Sequence, residues 1–256
     1  MDPFIEKYKF TTKGELNYCI DDGVAYQIDM TKSVPYDRPY FEKYVMYEKS
    51  PIGRMLNRAR ANALKGYADK LKILDVGIGC GTFIKYALAE NFDVYGYDIN
   101  PCGIHWLNKR CLFETPYGPK QRIMCYTFWD SLEHIPNPQK LLEKISIGAY
   151  VFISIPIFDT LEEITKSKHY RPDEHYYYFT ALGLFKWMLK YNFVLRRTYN
   201  FEIECGREGI KTFLFERIAL KTKGIALNEL LKKYFKNERN TTNKIAEDFF
   251  HVPKTD

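Results

Sequence analysis

Three glycines and two carboxylates stand where a small ligand can bind. Gly77, Gly79 and Gly81 alternate directly after a short apolar run. Glycine lets the backbone turn sharply and lets a ligand lie against bare peptide. Asp75 opens the turn, and Asp98 ends the next apolar run, where it can accept hydrogen bonds from both hydroxyls of a ribose. These residues predict a site for a nucleotide-like ligand.

The glycine spacing differs from the dinucleotide fingerprint G-x-G-x-x-G. Gly81 comes one residue early, and Thr82 occupies the expected glycine position. A dinucleotide site also needs the amino end of the following helix for its pyrophosphate. The spacing therefore argues against an NAD-dependent oxidoreductase, and a purely structural glycine turn stays as the other interpretation.

Two histidines are the best candidates for removing a proton, because imidazole titrates near neutral pH. His134 lies in the segment TFWDSLEHIPNP, residues 127–138, and His175 lies in a polar stretch before three tyrosines. A turn histidine that braces the next helix is an equal alternative for His134. A surface loop is the alternative for His175.

A strand, a helix and a second strand within residues 72–100 must position the glycines and carboxylates. A short apolar run bounded by glycine is typical of a buried parallel strand, and residues 83–88 have helical spacing. This βαβ order predicts an α/β fold with its ligand at the carboxyl edge of the sheet. Further strands are expected at Ile123–Phe128 and at Val151–Ile155, where Pro156 should end the strand.

The last two apolar runs alternate and predict an antiparallel pair, at Phe193–Phe201 and Lys211–Ile218. We therefore expect a three-layer αβα arrangement around a mostly parallel sheet with an antiparallel C-terminal hairpin. The chain divides into a hairpin and helical cap over residues 1–66, a cofactor domain over 67–220 and a basic helical extension over 221–256.

The cap is expected to stay outside the sheet and to cover its carboxyl edge. Its predicted parts are a hairpin within the first 33 residues, a tyrosine-rich helix and a helix that begins at Ser50–Pro51. The candidate ligand contacts in the cap are Tyr36, Tyr40, Tyr44 and Arg58. For each of them alone, packing of the tyrosine or a solvated position of the arginine is the favoured alternative.

The composition is that of a globular protein, with 256 residues, 46% hydrophobic and 27% charged residues and a net charge of +6. This mild basicity permits contact with nucleic acid without demanding it. The six cysteines form no C-x-x-C pair, and neither a secretory signal nor an apolar span of membrane length is present. These features predict a cytoplasmic protein with no membrane partner, and they leave its oligomeric state undetermined.

The sequence D-x-G-x-G-x-G at residues 75–81, with the later Asp98, resembles the first two motifs of the class I S-adenosylmethionine methyltransferases. L-E-H-I at 132–135 and D-E-H with F-T at 173–180 resemble one broad branch of this family. The resemblance covers about Lys72–Ile218, and the residues before it resemble similar proteins of bacteria and their phages. It implies a Rossmann-like methyltransferase fold and S-adenosylmethionine as cofactor.

The resemblance also implies roles for individual residues. The implied cofactor contacts are Asp75, Gly77, Ile78, Gly79, Gly81, Asp98, Ile99, Trp129 and Asp130. Asp75 would face the cationic amino group of the methionine moiety, Asp98 the ribose hydroxyls and Ile99 the adenine. Trp129 and Asp130 would lie near the methionine end.

Two features depart from the family's pattern or extend it. The strand that ends in an adenine-binding acid is missing, and Glu114 is a poor substitute. D-x-x-E-H at residues 130–134 resembles the E-x-x-E-H cluster with which ubiquinone-pathway O-methyltransferases and small-RNA 2′-O-methyltransferases hold a divalent metal. Aspartate in the first position shortens the reach, so a turn without a metal is the favoured interpretation.

The favoured function is methyl transfer to an O or N nucleophile of a small molecule. One alternative is a nucleic-acid or nucleotide methyltransferase that uses Lys232, Lys233, Lys236 and the arginines of residues 54–60 as phosphate contacts. A second alternative is a protein that binds S-adenosylmethionine without catalysis.

Overall fold

The computed structural model describes residues 11–13, 16–19, 22–28 and 34–219. The strands in these ranges are β1 (Thr11–Lys13), β2 (Leu16–Cys19), β3 (Val24–Gln27), β4 (Lys72–Val76), β5 (Asp93–Tyr97), β6 (Ile123–Trp129), β7 (Tyr150–Phe158), β8 (Tyr177–Thr180), β9 (Phe193–Tyr199) and β10 (Ile210–Arg217). The α-helices are α1 (Arg38–Glu48), α2 (Pro51–Leu64), α3 (Thr82–Ala89), α4 (Pro101–Asn108), α5 (Pro138–Leu142), α6 (Ala181–Lys190) and α7 (Phe201–Glu204). Two 3-10 turns cover Leu132–His134 and Leu161–Lys166.

The centre of the sheet consists of parallel strands in the order β5-β4-β6-β7. β10 pairs antiparallel with β7, and β9 pairs antiparallel with β10. This arrangement confirms the predicted α/β fold, with a mostly parallel sheet and an antiparallel C-terminal pair. Because the order reverses direction at β4, the carboxyl ends of β4, β5 and β6 border the crevice where open α/β sheets bind ligands.

Two apolar cores cover the two faces of the sheet, because successive side chains of a strand point to opposite faces. Val151 and Ile153 of β7 pack in the core that also contains Leu184 and Trp187 of α6. Phe152, between them, packs in the second core together with residues of α2, α3 and α4. The predicted three layers, helices on each side of a sheet, are therefore present.

The prediction that Pro156 ends its strand is wrong, because β7 continues to Phe158. β7 pairs with β6 as far as Ser154 and with β8 from Ile157 onward. Pro156 lies between these two stretches, where the N–H that proline lacks is not needed by either parallel partner.

The N-terminal hairpin joins the sheet, contrary to the expectation that the whole cap stays outside it. β2 and β3 pair antiparallel as predicted, and β3 then pairs with β8 through Val24 and Phe179. β8 is a strand of four residues that the sequence analysis did not identify. The sheet of the described residues therefore has ten strands in the order β1-β2-β3-β8-β7-β6-β4-β5, with β10 and β9 branching from β7.

The strand that the resemblance implies after α4 is not formed. A single β-bridge between Gly96 and Phe113 stands in its place. The carboxylate of Glu114 accepts hydrogen bonds from the backbone N–H groups of Thr115 and Gln121, at 3.0 and 3.2 Å. Glu114 thus stabilises the loop that replaces the strand, and it is not one of the residues that line the cavity described below.

Local capping explains where two helices begin. The Ser50 hydroxyl accepts a hydrogen bond from the Gly53 N–H before α2, and the Thr180 hydroxyl accepts one from the Gly183 N–H before α6. The start of α2 confirms the one predicted at Ser50–Pro51. The division at residues 66 and 220 stays a prediction, and the basic extension lies outside the described residues. Within the described ranges, we find no helix with the length and apolar character needed to cross a bilayer.

We predict that Gly183→Ala destabilises the junction between α6 and the hairpin. A methyl group at this position would overlap the backbone carbonyl of Gly23, which cannot move without displacing β3. Overpacking of this kind costs about 1–3 kcal/mol of unfolding free energy, measurable by urea denaturation. The control is Gly118→Ala, because a Cβ at Gly118 meets no atom within 4 Å. Equal stability of the two variants would contradict the prediction.

Candidate functional site

A cavity of about 290 Å³ lies at the carboxyl ends of β4, β5 and β6, beneath α1. This volume is near the lower end of the range for small-molecule sites. The lining includes all of the residues predicted to bind the cofactor except Gly81. It also includes His134 but not His175.

The glycine loop after β4 exposes its backbone to the cavity. Gly77 and Gly79 have φ angles of 82° and 56°, which are unfavourable for other residues. A Cβ at Gly77 would also lie 2.6 Å from the Cβ of Ser131, whereas one at Gly79 would only touch the Tyr44 ring at 3.7 Å. Gly81 is required by packing, because a Cβ at this position would lie 2.8 Å from the Trp106 ring. Gly81 is also the N-cap residue of α3.

Asp98 follows β5 and is buried, with 8% of its surface exposed. Its carboxylate accepts hydrogen bonds from the backbone N–H groups of Gly79, at 3.2 Å, and Asn100, at 2.7 Å. Burial raises the pKa of Asp98, and these backbone N–H groups oppose the increase. The carboxylate therefore links the glycine loop to the start of α4 at the cavity edge, where Ile99 is 60% exposed.

Asp75 is the most deeply buried acid among those that line the cavity, with 1% exposure. Its Oδ1 accepts a hydrogen bond of 2.7 Å from the Thr127 hydroxyl of the neighbouring strand. Burial raises the pKa of Asp75 to about 7, although the Thr127 hydrogen bond lowers it. The charge of Asp75 is thus destabilised unless a cation lies nearby.

Asp130, directly after β6, is held by two arginines. Its Oδ2 accepts hydrogen bonds from Arg60 of α2, at 2.9 Å, and from Arg207, at 2.8 Å. Both arginines also bind the fully buried Glu202 of α7, at 2.8 and 2.6 Å. Burial raises the pKa of Asp130, but the two guanidinium groups outweigh this effect and hold it at about 2. The other oxygen, Oδ1, is buried and has no hydrogen-bond partner among the described residues.

Trp129 forms part of the wall beside this cluster. Its ring packs edge to face on Phe83, with a centroid distance of 5.1 Å, and the Arg60 guanidinium lies 5.1 Å from its centre. These contacts fix the wall that leads to the glycine loop.

The roof of the cavity is formed by aromatic side chains on and before α1. Tyr36, Tyr40 and Tyr44 form an aromatic row, with centroid distances of 5.0 and 5.2 Å between neighbours. The hydroxyls of Tyr40 and Tyr44 are 3.0 Å apart. All three tyrosines line the cavity, whereas Arg58, the fourth candidate contact in the cap, is exposed on α2 and does not line it.

The two candidate bases contact each other. The rings of His134 and His175 pack edge to face with a centroid distance of 4.7 Å, and the Tyr36 hydroxyl is 3.0 Å from His134 Nδ1. Burial lowers the pKa of His134 to about 4 and that of His175 to about 2. Both imidazoles are therefore neutral at pH 7, and the assumption that they titrate near neutrality does not hold in this site.

The sequence analysis did not identify the residues that hold Asp130. The sequence indicates Arg60 only as one of the possible phosphate contacts in residues 54–60, and it does not single out Glu202 or Arg207. No local pattern joins Arg60 or Arg207 to Asp130, because they lie 70 and 77 positions from it, and only Arg207 and Glu202 are close in the chain. The positive φ of 55° at Asp130 is a second feature that spacing does not reveal.

We predict that Glu202→Gln lowers the unfolding free energy by about 3–5 kcal/mol, because it leaves Arg60 and Arg207 buried with too little negative charge. Glu204→Gln on the same short helix is the matched control, since Glu204 is exposed and such surface changes stay within about 0.5 kcal/mol. Chemical denaturation of both variants measures the difference, and similar losses would contradict the prediction.

We predict that Asp75→Asn stabilises the ligand-free protein above about pH 7. Because the pKa of Asp75 is higher in the folded protein than in the unfolded chain, its contribution to stability is complete below about pH 4 and is lost as the pH rises through about 7. The loss amounts to as much as roughly 4 kcal/mol. Asparagine carries no charge and keeps an oxygen for Thr127.

The difference in Tm between Asp75→Asn and the wild type should grow from about pH 5 to about pH 8. Asp159→Asn, at an exposed position, is the control. A difference in Tm that does not change with pH would show that Asp75 is ionised throughout this range.

Comparison with known proteins identifies the family. A family model described as a methyltransferase domain matches residues 47–198. The CcbJ methyltransferase from Streptomyces caelestis superposes with a TM-score of 0.55 and 9% identity, covering 73% of this chain and 100% of that one. The Burkholderia thailandensis 1,6-didemethyltoxoflavin-N1-methyltransferase, with bound 1,6-didemethyltoxoflavin and S-adenosylhomocysteine, has a TM-score of 0.52 and 16% identity, covering 80% and 100%. The search of curated proteins found no match.

The cavity residues fit S-adenosylmethionine. Gly77 and Gly79 offer bare backbone, Asp98 ends the second strand of the βαβ unit, and the unpaired Oδ1 of Asp130 is a buried acceptor for a cationic group. The family match covers more than half of the chain, and the similar structures share its fold. The chain belongs to the methyltransferase domain family, and it is a class I methyltransferase whose cofactor is S-adenosylmethionine.

Proposed function

We propose that this protein transfers a methyl group from S-adenosylmethionine to an O or N nucleophile of a small molecule. The observation that carries the proposal is that one cavity combines a glycine loop flanked by carboxylates, an aromatic roof and a neutral histidine. A protein that only bound the cofactor would need the first of these features but neither the aromatic roof nor the histidine.

Three carboxylates bind the polar groups of the cofactor. Asp98 accepts the ribose hydroxyls, since an ionised carboxylate has more acceptor sites than its two backbone hydrogen bonds use. The Oδ1 atom of Asp130 accepts a hydrogen bond from the methionine ammonium group while its Oδ2 stays bound to the arginines. Asp75 adds a second negative charge beneath this group, and the ammonium in turn favours the ionised form of Asp75.

The adenine lies near Ile99, the only large aliphatic side chain in the lining with most of its surface exposed among the described residues. Glu114 does not take the place of the adenine-binding acid of the family, because its carboxylate is bound to its own loop and does not line the cavity. Apolar contact rather than a carboxylate hydrogen bond then holds this end of the cofactor.

S-Adenosylmethionine supplies a methyl group that is already activated by a positively charged sulfur. When bound, it would give this methyl group to the electron pair of the nucleophile, and the electron pair of the broken carbon–sulfur bond would stay on sulfur. The protein therefore has to align the nucleophile and accept its proton. His134 lines the cavity and is neutral, so it has a lone pair for this proton; His175 contacts His134 and acts through it.

A small and partly aromatic substrate fits the roof best. Tyr36, Tyr40 and Tyr44 present ring faces and hydroxyls over the cavity, and aromatic rings stack well on planar ligands. The methyltransferase from Burkholderia thailandensis was solved with a small molecule, 1,6-didemethyltoxoflavin, in its site.

Nucleic acid is a weaker candidate, because Arg60 is neutralised by Glu202 and Asp130. Arg54 and Arg58 are exposed on α2, and the three lysines proposed as phosphate contacts lie outside the described residues. Binding of RNA or DNA that weakens steeply with added salt would favour this alternative.

Calorimetry with S-adenosylmethionine, followed by transfer of a labelled methyl group to extract fractions, tests the proposal. We expect saturable binding of the cofactor and label in the small-molecule fraction. Label in the nucleic-acid or protein fraction would contradict the proposed substrate class. Cofactor binding without transfer to any fraction would support a non-catalytic role.

We predict that Asp98→Asn weakens binding of S-adenosylmethionine by about 10- to 100-fold, because hydrogen bonds to charged groups contribute about 1.5–3 kcal/mol. Asp93→Asn is the matched control, since Asp93 begins the same strand at an exposed position. Calorimetry gives both dissociation constants, and circular dichroism confirms that each variant is folded. Unchanged affinity of Asp98→Asn would remove this residue from the proposed site.

A further inference from the structure

Three potential metal ligands meet behind the cavity wall. Glu133 and His134 lie in the 3-10 turn that follows β6, and His175 precedes β8. Each residue offers one ligand atom, and these atoms all lie within 4.8 Å of one another. Residues from two separate segments thus converge on a volume of the size that one ion occupies.

The polar atoms of this cluster lack partners. Glu133 is 1% exposed, and neither of its carboxylate oxygens has a hydrogen bond within the described part of the chain. His175 is 6% exposed, and its Nδ1 is also without a partner there. Buried polar groups are nearly always paired, and a buried carboxylate without a partner is costly.

The nearest cations do not compensate Glu133. Arg60 and Arg207 form their ion pairs with Asp130 and Glu202, and no ion pair among residues 34–219 includes Glu133. The carboxylate therefore has no hydrogen bond and no direct ion pair within the described residues, although Arg60 and Arg207 act on its charge at longer range. A bound cation would provide both interactions.

We propose that Glu133, His134 and His175 bind one divalent transition-metal ion. Two imidazoles and a carboxylate suit Zn²⁺, Mn²⁺, Fe²⁺ or Co²⁺, and they are less suited to Mg²⁺, which prefers an all-oxygen environment. Three protein ligands leave at least one coordination position open, which is the arrangement of catalytic rather than structural sites.

This ligand set differs from the D-x-x-E-H sequence pattern. Asp130, the first residue of that pattern, is bound to two arginines, and His175 occupies the third position instead. His175 is distant in the chain, so the spacing could not indicate it. The proposal therefore departs from the metal-free turn that the sequence favours.

The open position would face the cavity, because His134 is a cavity-lining residue and its ring contacts the Tyr36 hydroxyl. With the ion bound, His134 would be a ligand and could not also accept the proton of the nucleophile. An oxygen nucleophile that reaches the ion would instead have a lowered pKa and would lose its proton to solvent at neutral pH. This last step rests on the proposed methyl transfer, whereas binding of the ion does not.

The experiment uses the full chain after removal of metals with a chelator. Titration with Zn²⁺ by calorimetry, and with Co²⁺ by visible absorption, should show one saturable site, and Mg²⁺ should bind more weakly. Loss of a direct ligand in Glu133→Gln or His175→Ala should weaken Zn²⁺ binding by at least ~10-fold. His105→Ala, which removes an exposed histidine of α4 outside the cluster, should bind like the wild type.

X-ray absorption spectroscopy of the Zn²⁺-loaded wild type tests the ligands without a variant. Two imidazoles with oxygen ligands are expected. A shell with thiolate, a shell without imidazole, or no saturable binding by the wild type would overturn the proposal, as would unchanged affinity in both folded variants. Because no readout includes cofactor or substrate, these failures are distinct from failure of methyl transfer, which would leave the metal result unaffected.

Discussion

The end of β6 is held by four charges that are buried together. Arg60 and Arg207 supply two positive charges, and Asp130 and Glu202 supply two negative ones, so the group is neutral as a whole. Such a group is tolerable in the interior only while every member keeps its partners. Since its members come from α2, the end of β6 and the α7 region, the wall of the cavity is complete only when these distant segments have packed.

The left-handed conformation of Asp130 directs the turn that follows. With φ at 55°, the chain leaves β6 abruptly, and the Ser131 hydroxyl donates a hydrogen bond to the carbonyl of Val76 at the end of β4. This contact brings Ser131 so close to Gly77 that a side chain at residue 77 is excluded. The glycine is thus required by the neighbouring turn as well as by its own φ. The same turn delivers His134 to the cavity.

The sequence predicts those parts of the fold and site that are local in the chain. The βαβ unit, the glycine loop with Gly77 and Gly79, and the position of Asp98 follow from apolar runs and spacing. The pairing of Arg60 with Asp130 depends on tertiary packing, which leaves no periodic trace in the sequence. β8 was missed because it is short and follows a polar segment, and the low pKa of His134 results from burial, which the residue type does not reveal.

The helix that covers the cavity is attached to the protein only by partly exposed side chains. None of the residues of α1, which lies wholly within the described ranges, is buried, and the helix contacts α2 and α4. Its attachment comes from aromatic rings and from surface bonds such as those of Glu48 to Lys85 and Asn100 to Asp37. Elements with so little buried area separate from a protein at low free-energy cost. Release of this helix would open the cavity, which its tyrosines line, and would leave both cores of the sheet intact.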